Sequence, residues 1–503
     1  MLFKEMLDDL ARRKVKALGM GGEEKLARRR AEGHLNARER IDKLLDAGTF
    51  TESGLFATSS LPEARDKTPA DGKIAGFGKI EGRNVALVAN DFTVLGASSA
   101  VVNTKKIRHV REVANRSGMP LILLGESTGS RMPDRMGAPG RAIIGQDPIE
   151  YQRSRQSPWV SALLGPCYGS STWYACMSDF VVMRKGALMA VASSRVTSMA
   201  INQPVDPEEL GGWKLHAETT GLVDMVVDTD EEALSAIRHF LSYLPSHHNA
   251  AAPVRPVPEH AGEAIKSVLD LLPPDRAKVY DVRKIVAAIA DPGSVFEMKA
   301  RFGKSISTSL ARLDGKTVGI VANNPMFKGG AIDVDACNKA TSFLVLCDSF
   351  NIPLVFLVDQ PGFLIGIDGE RRGAPGKIIN WMNARSLVTV PKITVIMRKS
   401  YGQAYLNMGG GKNSDEVICW PTADLGFMSP EVSVNVLHGV KKEDDPARYE
   451  ELIEEVARDT SAWSLASLYE TQTIIDPRET RDCLISLLDV HRSRLGTEVG
   501  KHL

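Results

Sequence analysis

Residues 82–90 read Gly-Arg-Asn-Val-Ala-Leu-Val-Ala-Asn, and residues 315–323 read Gly-Lys-Thr-Val-Gly-Ile-Val-Ala-Asn. Adding 233 to each residue number aligns the stretch 82–129 with 315–362 without a gap, and twelve of the 48 aligned positions are identical. Because only two copies occur, at a period far longer than that of a solenoid repeat, the pattern indicates a duplicated domain.

Each copy contains an apolar run, a turn of small residues, a helix-length segment and a second apolar run. In the first copy these are Val85 to Val88, Gly96 to Ser99, Val101 to Ser117 and Leu121 to Leu124. Such apolar runs are typical of strands covered on both faces, and strand–helix–strand alternation is typical of parallel connections. The sequence therefore predicts an α/β fold. Glycines follow the strands, and there main-chain N–H groups can reach a ligand and stabilise an oxyanion.

The composition excludes several classes of protein. The 62 basic and 62 acidic residues balance, so the sequence carries no electrostatic footprint of a nucleic-acid partner. The six cysteines form no Cys-x-x-Cys pair, and the histidines and carboxylates show no metal-ligand spacing. The sequence shows no apolar signal core and no membrane-spanning run. We therefore expect a cytoplasmic protein without a metal.

The length and the duplication predict two large domains. The N-terminal domain is predicted over residues 1–250 and the C-terminal domain over residues 281–503. Between them, residues 251–280 are rich in proline, which predicts a stiff interdomain linker.

One short motif suggests a different chemistry. Gly125-Glu126-Ser127-Thr128-Gly129 matches the G-x-S-x-G pattern of a nucleophile elbow and follows a strand. Such an elbow opens a helix, whereas Pro133 and the glycines beyond it disfavour one. In the second copy, Gln360 stands at the position of Ser127. A hydrolase is therefore the weaker interpretation.

The loop 131–159 is dense in glycine, proline and arginine, and is predicted to lie over a site. Its Arg131, Arg135 and Arg141 have the guanidinium geometry that suits phosphates. A purely structural cover without ligand contact is the alternative.

Eight longer motifs occur in order along the chain. They are Leu35-Asn36-Ala37-Arg38-Glu39-Arg40, Asn90-Asp91-Phe92-Thr93-Val94-Leu95-Gly96, Gly165-Pro166-Cys167-Tyr168-Gly169, Glu208-Glu209-Leu210-Gly211-Gly212 with His216, Asn323-Asn324-Pro325, Val358-Asp359-Gln360-Pro361-Gly362-Phe363, Arg398-Lys399-Ser400-Tyr401-Gly402 and Trp420-Pro421-Thr422-Ala423. These motifs closely resemble those of the carboxyltransferase (beta) subunits of biotin-dependent acyl-CoA carboxylases of the propionyl-CoA and methylcrotonyl-CoA type. The resemblance covers nearly the whole chain, from about residue 23 to residue 440.

The resemblance implies two duplicated crotonase-like (β-β-α superhelix) domains, the first for the acyl-CoA and the second for biotin. It implies that a carboxyl group moves from carboxybiotin to the α carbon of an acyl-CoA, whose α proton the biotin ureido nitrogen removes. Main-chain N–H groups would hold the thioester enolate in one domain and the ureido oxyanion in the other. The implied partners are a biotin carboxylase and biotin-carrier subunit, the acyl-CoA, and further copies of the chain in a homo-oligomer, usually a hexamer. Nucleic acid and membrane are not expected as partners.

The site residues follow from the resemblance by position. The implied catalytic main-chain donors are Gly169, Ser170, Gly402 and Gln403. The implied acyl-CoA-binding residues are Gly96, Ala97, Lys106, Ser127, Thr128, Gly129, Arg131 and Tyr168. The implied biotin-binding residues are Gly329, Gly330, Pro361, Gly362, Phe363 and Tyr401.

Two departures from the family pattern leave alternatives open. Where the family usually has Gly-Gly, this chain has Gly169-Ser170 and Gly402-Gln403. Both pairs keep their N–H donors, but each adds a side chain that narrows the site. An acyl-CoA decarboxylase or transcarboxylase on the same fold, and a catalytically silent assembly subunit, are therefore alternatives to the carboxylase component.

Overall fold

The computed structural model describes residues 2–138 and 151–494, which form two units that divide between His248 and Asn249. Each unit contains one eight-stranded sheet. In the first unit the strands are β1 (Thr51–Ser53), β2 (Lys73–Ile80), β3 (Arg83–Asn90), β4 (Leu121–Ser127), β5 (Trp159–Tyr168), β6 (Phe180–Arg184), β7 (Leu188–Ala190) and β8 (Met225–Val227). In the second unit they are β9 (Phe296–Met298), β10 (Ile306–Leu313), β11 (Lys316–Asn323), β12 (Leu354–Gln360), β13 (Lys392–Tyr401), β14 (Glu416–Cys419), β15 (Asp424–Gly426) and β16 (Thr473–Ile474).

Helices occupy most of the connections. In the first unit the described helices are α1 (Leu2–Leu18), α2 (Glu23–Ala31), α3 (Ala37–Leu44), α4 (Val101–Ser117), α5 (Ser170–Met177), α6 (Ser194–Ile201), α7 (Pro207–Gly211) and α8 (Asp230–Tyr243), with a π-helical segment at Leu215–Thr219. In the second unit they are α9 (Val268–Leu271), α10 (Val282–Ile289), α11 (Val334–Ser349), α12 (Ile367–Arg371), α13 (Ala374–Leu387), α14 (Ala404–Asn407), α15 (Pro430–His438), α16 (Pro446–Ala457), α17 (Ala462–Ser467) and α18 (Thr480–His491). None of the helices in the described part of the chain combines the length and the apolarity needed to cross a membrane.

The two sheets share one topology. The strand order of the first is β1-β2-β3-β4-β5-β6-β8, with β7 beside β5, and that of the second is β9-β10-β11-β12-β13-β14-β16, with β15 beside β13. In each sheet the first two pairings are antiparallel and the other pairings are parallel. The predicted duplication and the α/β class with parallel connections are confirmed.

The strand–helix–strand unit forms where the sequence predicts it. Ala86 to Ala89 of β3 pair in parallel with Leu121 to Leu124 of β4. Between them α4 spans the predicted segment Val101–Ser117 and ends at Gly118, whose φ of 63° is the left-handed conformation common after a helix. The buried face of α4 packs against both strands. Since each fully buried aliphatic side chain contributes about 1.5–3 kcal/mol, this packing stabilises the unit.

The second and third strands of each sheet form the same tight hairpin. Glu81 and Gly82 join β2 to β3 with φ of 49° and 75°, which is the pattern of a two-residue turn that matches the twist of the strands. The carboxylate of Asp46 accepts the N–H groups of both turn residues. In the second unit Asp291 accepts those of Asp314-Gly315 in the same way. The duplication therefore extends to the aspartate that accepts the N–H groups of the hairpin turn.

The stretch predicted as a linker lies in the second unit. Residues 251–258 have no helix or strand. Further on, Ile265, Val268 and Leu272 pack in the core of the second unit, because their spacing of three and four residues places them on one side of the chain.

Candidate active sites

The first candidate site lies where β4 and β5 end. These strands are parallel, so their carboxyl ends meet at one edge of the sheet. A Cβ placed on Gly169 would lie 3.9 Å from the Cα of Gly129, and a Cβ placed on Gly129 would lie 3.7 Å from the Cβ of Tyr168. Gly169 has φ 66° and ψ −121°, a backbone conformation that residues with a Cβ atom rarely adopt. The structure thus brings these three predicted residues together.

The turn after β3 forms a second wall of this site. The N–H of Thr128 donates to the carbonyl of Gly96 over 2.9 Å. The hydroxyl of Ser127 donates to the carbonyl of Ala97 over 3.2 Å. The predicted acyl-CoA residues of both segments therefore share one site.

Helix α5 begins at the first candidate site. Its first internal bond runs from the Trp173 N–H to the Gly169 carbonyl over 3.1 Å. The N–H groups of residues 170–172 precede that bond, and such first-turn groups have no acceptor inside their helix and form its positive end. The hydroxyl of Ser170 is bonded to that of Ser99 over 2.6 Å. Ser170 thus keeps its main-chain donor while its side chain is held against the wall.

Arg131, predicted to bind the acyl-CoA, has partners inside the protein. Its guanidinium is buried and donates to the Asp71 carboxylate over 2.6 Å and to the Ser98 carbonyl over 3.3 Å. Burial raises the pKa of Asp71, and the charge of Arg131 counteracts that rise. Arg131 therefore anchors the turn after β3. Arg141 lies outside the described residues.

Lys106, also predicted to bind the acyl-CoA, and its counterpart Lys339 are buried in the same way. The Lys106 ammonium donates to three main-chain carbonyls and that of Lys339 to two. Burial lowers the pKa of Lys106 to about 8 and that of Lys339 to about 7. The hydrogen bonds of Lys106 go to Gly54, Ala70 and Lys73, so they tie α4 to the start of β2 and do not reach the turns that form the site.

The second candidate site lies at the ends of β12 and β13. A Cβ placed on Gly330 would lie 2.6 Å from the Asp359 carbonyl oxygen, so the turn after β11 runs close along the end of β12. The segment Pro361–Phe363 continues that wall, where the Gly362 carbonyl accepts the N–H of Ile332 over 3.0 Å. A Cβ placed on Gly329 or on Gly362 would meet no atom within 4 Å. Both glycines therefore face open space.

The turn after β13 repeats that of the first site. Gly402 has φ 63°, and its N–H donates to the Gly426 carbonyl over 3.0 Å. Gln403 follows at the start of α14 with an exposed side chain. The buried Tyr401 donates its hydroxyl to Asp424 over 2.6 Å, and burial together with this bond raises the pKa of the phenol. Tyr401 thus holds the turn after β13 in place. The main-chain N–H of Gln403 is the candidate donor of the second site.

Ser127 lacks the hydrogen-bond partners that activate a nucleophilic serine. Its hydroxyl is buried, donates to Ala97 and accepts the N–H of Gly129 over 3.1 Å. Within residues 2–138 and 151–494, none of its hydrogen bonds involves a histidine or a carboxylate, and the same residues contain no group of three side chains that could hold a metal ion. The hydrolase interpretation lacks the base that it requires.

A basic cavity of about 550 Å³ lies in the first unit beside Leu95, and the sequence analysis did not predict it. One acidic side chain, that of Asp66, lines the cavity. Five basic side chains also line it: Arg13, Lys16, Lys25, Arg65 and Lys67. Lys16 pairs with Asp66, whereas no carboxylate among the described residues lies within 4 Å of the Arg65 or Lys67 cation. The cavity suits an anionic ligand.

Two duplicated α/β units, each with a main-chain oxyanion candidate at the end of a parallel strand, define a crotonase-like class of protein. The chain belongs to the carboxyl transferase family, since the model of the carboxyl transferase domain matches residues 28–499.

Two relatives and one solved structure match nearly the whole chain. The chain is 37% identical to the carboxyltransferase subunit of propionyl-CoA carboxylase from Haloferax mediterranei, over 100% of this chain and 99% of that protein. It is 32% identical to the alpha subunit of methylmalonyl-CoA decarboxylase from Veillonella parvula, over 98% and 96%. It matches a transcarboxylase 12S crystal structure, described as a hexamer assembly with methylmalonyl-coenzyme A and methylmalonic acid bound, with a TM-score of 0.91, 33% identity and coverage of 97% and 96%. The predicted family, the crotonase-like fold and acyl-CoA carboxyl transfer are confirmed.

Proposed function

We propose that this chain is the carboxyltransferase component of a biotin-dependent acyl-CoA carboxylase, with the acyl-CoA in the first candidate site and biotin in the second. The repeated turn carries the proposal. Gly169 with φ 66° and Gly402 with φ 63° each directly follow a parallel strand and precede a helix. Main-chain N–H groups in that position stabilise an oxyanion without a side-chain acid or base.

In the first site, the donors at residues 170–172 would bind the thioester oxygen. When the α proton leaves, an electron pair moves onto that oxygen, and the α carbon then forms the new bond to the incoming carboxyl carbon. The N–H groups would stabilise the negative charge that develops on the oxygen in this step. A single donor of this kind is worth about 100- to 1,000-fold in kcat.

The second site fits the ureido group of biotin by donor type and by space. Gln403 offers a main-chain N–H, and a Cβ placed on Gly329 or Gly362 would meet nothing within 4 Å, so neither glycine would obstruct a bound ring. When bound, biotin supplies the carboxyl carrier and the nitrogen that takes up the α proton. The side chain of Gln403 is exposed, so it would leave the main-chain donor in place.

The basic cavity would hold the phosphates of coenzyme A. It reaches Leu95, which directly precedes the Gly96 and Ala97 turn of the acyl site. Coenzyme A carries a pyrophosphate and a further phosphate, and a concave basic site raises the local concentration of such an anion. One ligand would therefore extend from the cavity to the oxyanion donors.

Reversing the two unpaired charges of this cavity is expected to weaken acyl-CoA binding. In the variant Arg65→Glu/Lys67→Glu, the KM for acyl-CoA should rise about 10- to 100-fold, because each lost attraction near a phosphate is worth on the order of 1 kcal/mol. The kcat at saturation should stay within about twofold, since the oxyanion donors are unchanged. Initial rates against acyl-CoA concentration, at low and high salt, measure both constants. The matched control is Lys441→Glu/Lys442→Glu, two exposed lysines of the second unit; an equal KM in both variants would contradict the phosphate assignment.

The partners follow from the same proposal. Carboxyl transfer needs biotin loaded elsewhere, so a biotin carboxylase and biotin-carrier subunit would work with this chain. The transcarboxylase 12S structure is described as a hexamer, and we propose a homo-oligomer of that kind here.

A second candidate function is decarboxylation of an acyl-CoA. The 32% identity to a methylmalonyl-CoA decarboxylase subunit favours it, as does the side chain of Gln403 beside the proposed biotin position. If the side chain of Gln403 blocks the biotin position, the decarboxylase would turn over without biotin, and the requirement for biotin then distinguishes the two candidates.

Release of CO2 from malonyl-CoA or methylmalonyl-CoA by the purified full chain, with and without free biotin, tests both candidates. We expect turnover that requires biotin and saturates with its concentration. Turnover that is equally fast without biotin would replace the proposal by a biotin-independent decarboxylase. Binding of the CoA ester without turnover, even with a biotinylated carrier peptide, would indicate a silent assembly subunit.

A further inference from the structure

Lys73 is a buried cation in the first unit with no cation at the matching position of the second. It is the first residue of β2 and only 1% exposed. The first residue of β10, its counterpart at the 233 offset, is Ile306, which is equally buried. No carboxylate of the described residues lies within 4 Å of the Lys73 ammonium. A buried cation without a close counter-charge destabilises a fold, so its presence requires a physical reason.

The ammonium of Lys73 holds one particular carbonyl. It donates to the Ala97 carbonyl over 2.7 Å, which also accepts the hydroxyl of Ser127. Ala97 has φ 49°, a left-handed conformation that is strained for alanine. In the second unit Gly330 stands at this position, with φ 85°. Two hydrogen bonds thus keep alanine where the duplicate uses glycine.

Lys73 is also close to the oxyanion donors. A narrow cavity of about 20 Å³, large enough for one water, is lined by Lys73 together with Asn90, Ser170 and Ser171. The cation and the first turn of α5 therefore line the same narrow cavity.

Charged and titratable groups from four elements surround this ammonium. They are Asp71 before β2, Lys106 on α4, Arg131 after β4 and Cys167 on β5. Burial, and to a smaller extent the charges of Arg131 and Lys106, lower the pKa of Lys73, whereas Asp71 and Cys167 raise it; the net result is a pKa of about 7.

We propose that Lys73 is a positioning residue of the acyl half-site, which locks the strained Ala97 turn and adds a positive field behind the thioester oxygen. The inference rests on the proposed function of the first site. Since the enolate oxygen carries more negative charge in the transition state than in the bound thioester, a fixed cation behind it favours the transition state. Ile306 gives the second unit no equivalent field.

Isotope-edited infrared spectroscopy of the full chain tests the field directly. An acyl-CoA with ¹³C at the thioester carbonyl should show a lower carbonyl frequency when bound than in water. In Lys73→Ile, the residue of the second unit, at least half of that shift should disappear, kcat should fall about 10- to 100-fold, and the KM should stay within about twofold. Lys73→Arg should keep most of the shift because it keeps the charge. An unchanged band and kcat in a Lys73→Ile protein that still binds the ester would overturn the inference.

Two further variants distinguish the electrostatic effect of Lys73 on the ester from its effects on the Ala97 turn and on folding. Lys339→Met removes another buried lysine whose pKa is about 7, but in the second unit, and should leave the band of the bound ester in place. Ala97→Gly in the Lys73→Ile background relieves the turn, so it should restore thermal stability without restoring the band or kcat. If the carbonyl frequency of the bound ester returned fully to the wild-type value, Lys73 would act only on the conformation of the Ala97 turn. That result would overturn the proposal that its charge acts on the thioester oxygen.

The field should also depend on pH. Because the ammonium is present below its pKa and lost above it, the wild-type band shift and kcat should decline as the pH rises through about 7, whereas Lys73→Ile should lack this step. A wild-type chain that binds no acyl-CoA would refute the proposed function itself. A wild-type chain that turns over with the same pH profile as Lys73→Ile would refute only the assignment of Lys73.

Discussion

A Gly169→Ala variant is expected to lose at least about 100-fold in kcat for carboxyl transfer, while its affinity for acyl-CoA stays within a few-fold. Gly169 adopts φ 66° and ψ −121°, and a Cβ there would approach the Cα of Gly129 to 3.9 Å. Alanine fits that space but is strained in that conformation by about 1–3 kcal/mol. The turn should relax, and the N–H groups at the start of α5 should then point away from the thioester oxygen.

Gly402→Ala should produce the corresponding loss in the second unit, with φ 63° at that turn. Its defect should appear in the biotin-dependent step and leave acyl-CoA binding intact, so that the two halves of the reaction become separable. Steady-state rates with varied acyl-CoA and varied biotin distinguish the two variants.

The control for both variants is a strained glycine outside the sites. Gly186 has φ 82°, and a Cβ on it would meet nothing within 4 Å. Gly186→Ala should lower the thermal stability about as much as Gly169→Ala and leave kcat unchanged. If Gly169→Ala kept wild-type kcat at the same stability, the oxyanion assignment would be wrong.

The sequence predicted the elements whose cause is local. The helix Val101–Ser117 has the bounds expected from its pattern, because a small-residue turn precedes it and Gly118 ends it. The parallel pairing of β3 with β4 follows from two short runs that are apolar on both faces. The loops of both candidate sites were predictable because the duplication places glycines at equivalent strand ends.

The sequence could not predict features that depend on distant partners. Lys106 was predicted to bind the acyl-CoA and Arg131 to suit a phosphate, but in the structure Lys106 binds main-chain carbonyls and Arg131 binds Asp71. The carbonyls that accept from Lys106 lie 33 to 52 residues away in the chain, so the sequence around the lysine does not reveal them. The basic cavity combines α1 with residues 55–70 and Leu95, so it has no motif; the only available signal was the excess of arginine and lysine near the N-terminus.

The largest effect on stability is expected from Arg40→Met. Arg40 is 1% exposed and lies between two buried carboxylates, with distances of 2.8 Å to Glu126 and 2.8 Å to Asp230. Arg29 also binds Glu126, and Arg184 binds Asp230 over 2.9 Å. The network joins α2, α3, β4, β6 and α8, and Glu126 directly precedes Ser127 of the acyl site. Removing its central cation leaves two buried carboxylates undercompensated.

The free energy of unfolding of the first unit should therefore fall by about 3–5 kcal/mol in Arg40→Met, the usual range when one partner of a buried pair is removed. Urea unfolding monitored by tryptophan fluorescence measures it, with Trp159, Trp173 and Trp213 reporting the first unit and Trp381, Trp420 and Trp463 reporting the second, whose transition should not shift. The matched control is Arg12→Met, which removes an exposed pair with Asp9 and should not change the transition measurably. Because methionine keeps the apolar contacts of the arginine stem, a loss as small as that of the control would show that Arg29 and Arg184 compensate both carboxylates without Arg40. In that case the network would have no role in holding Glu126 and the acyl turn in place, and kcat in Arg40→Met should equal that of the wild type.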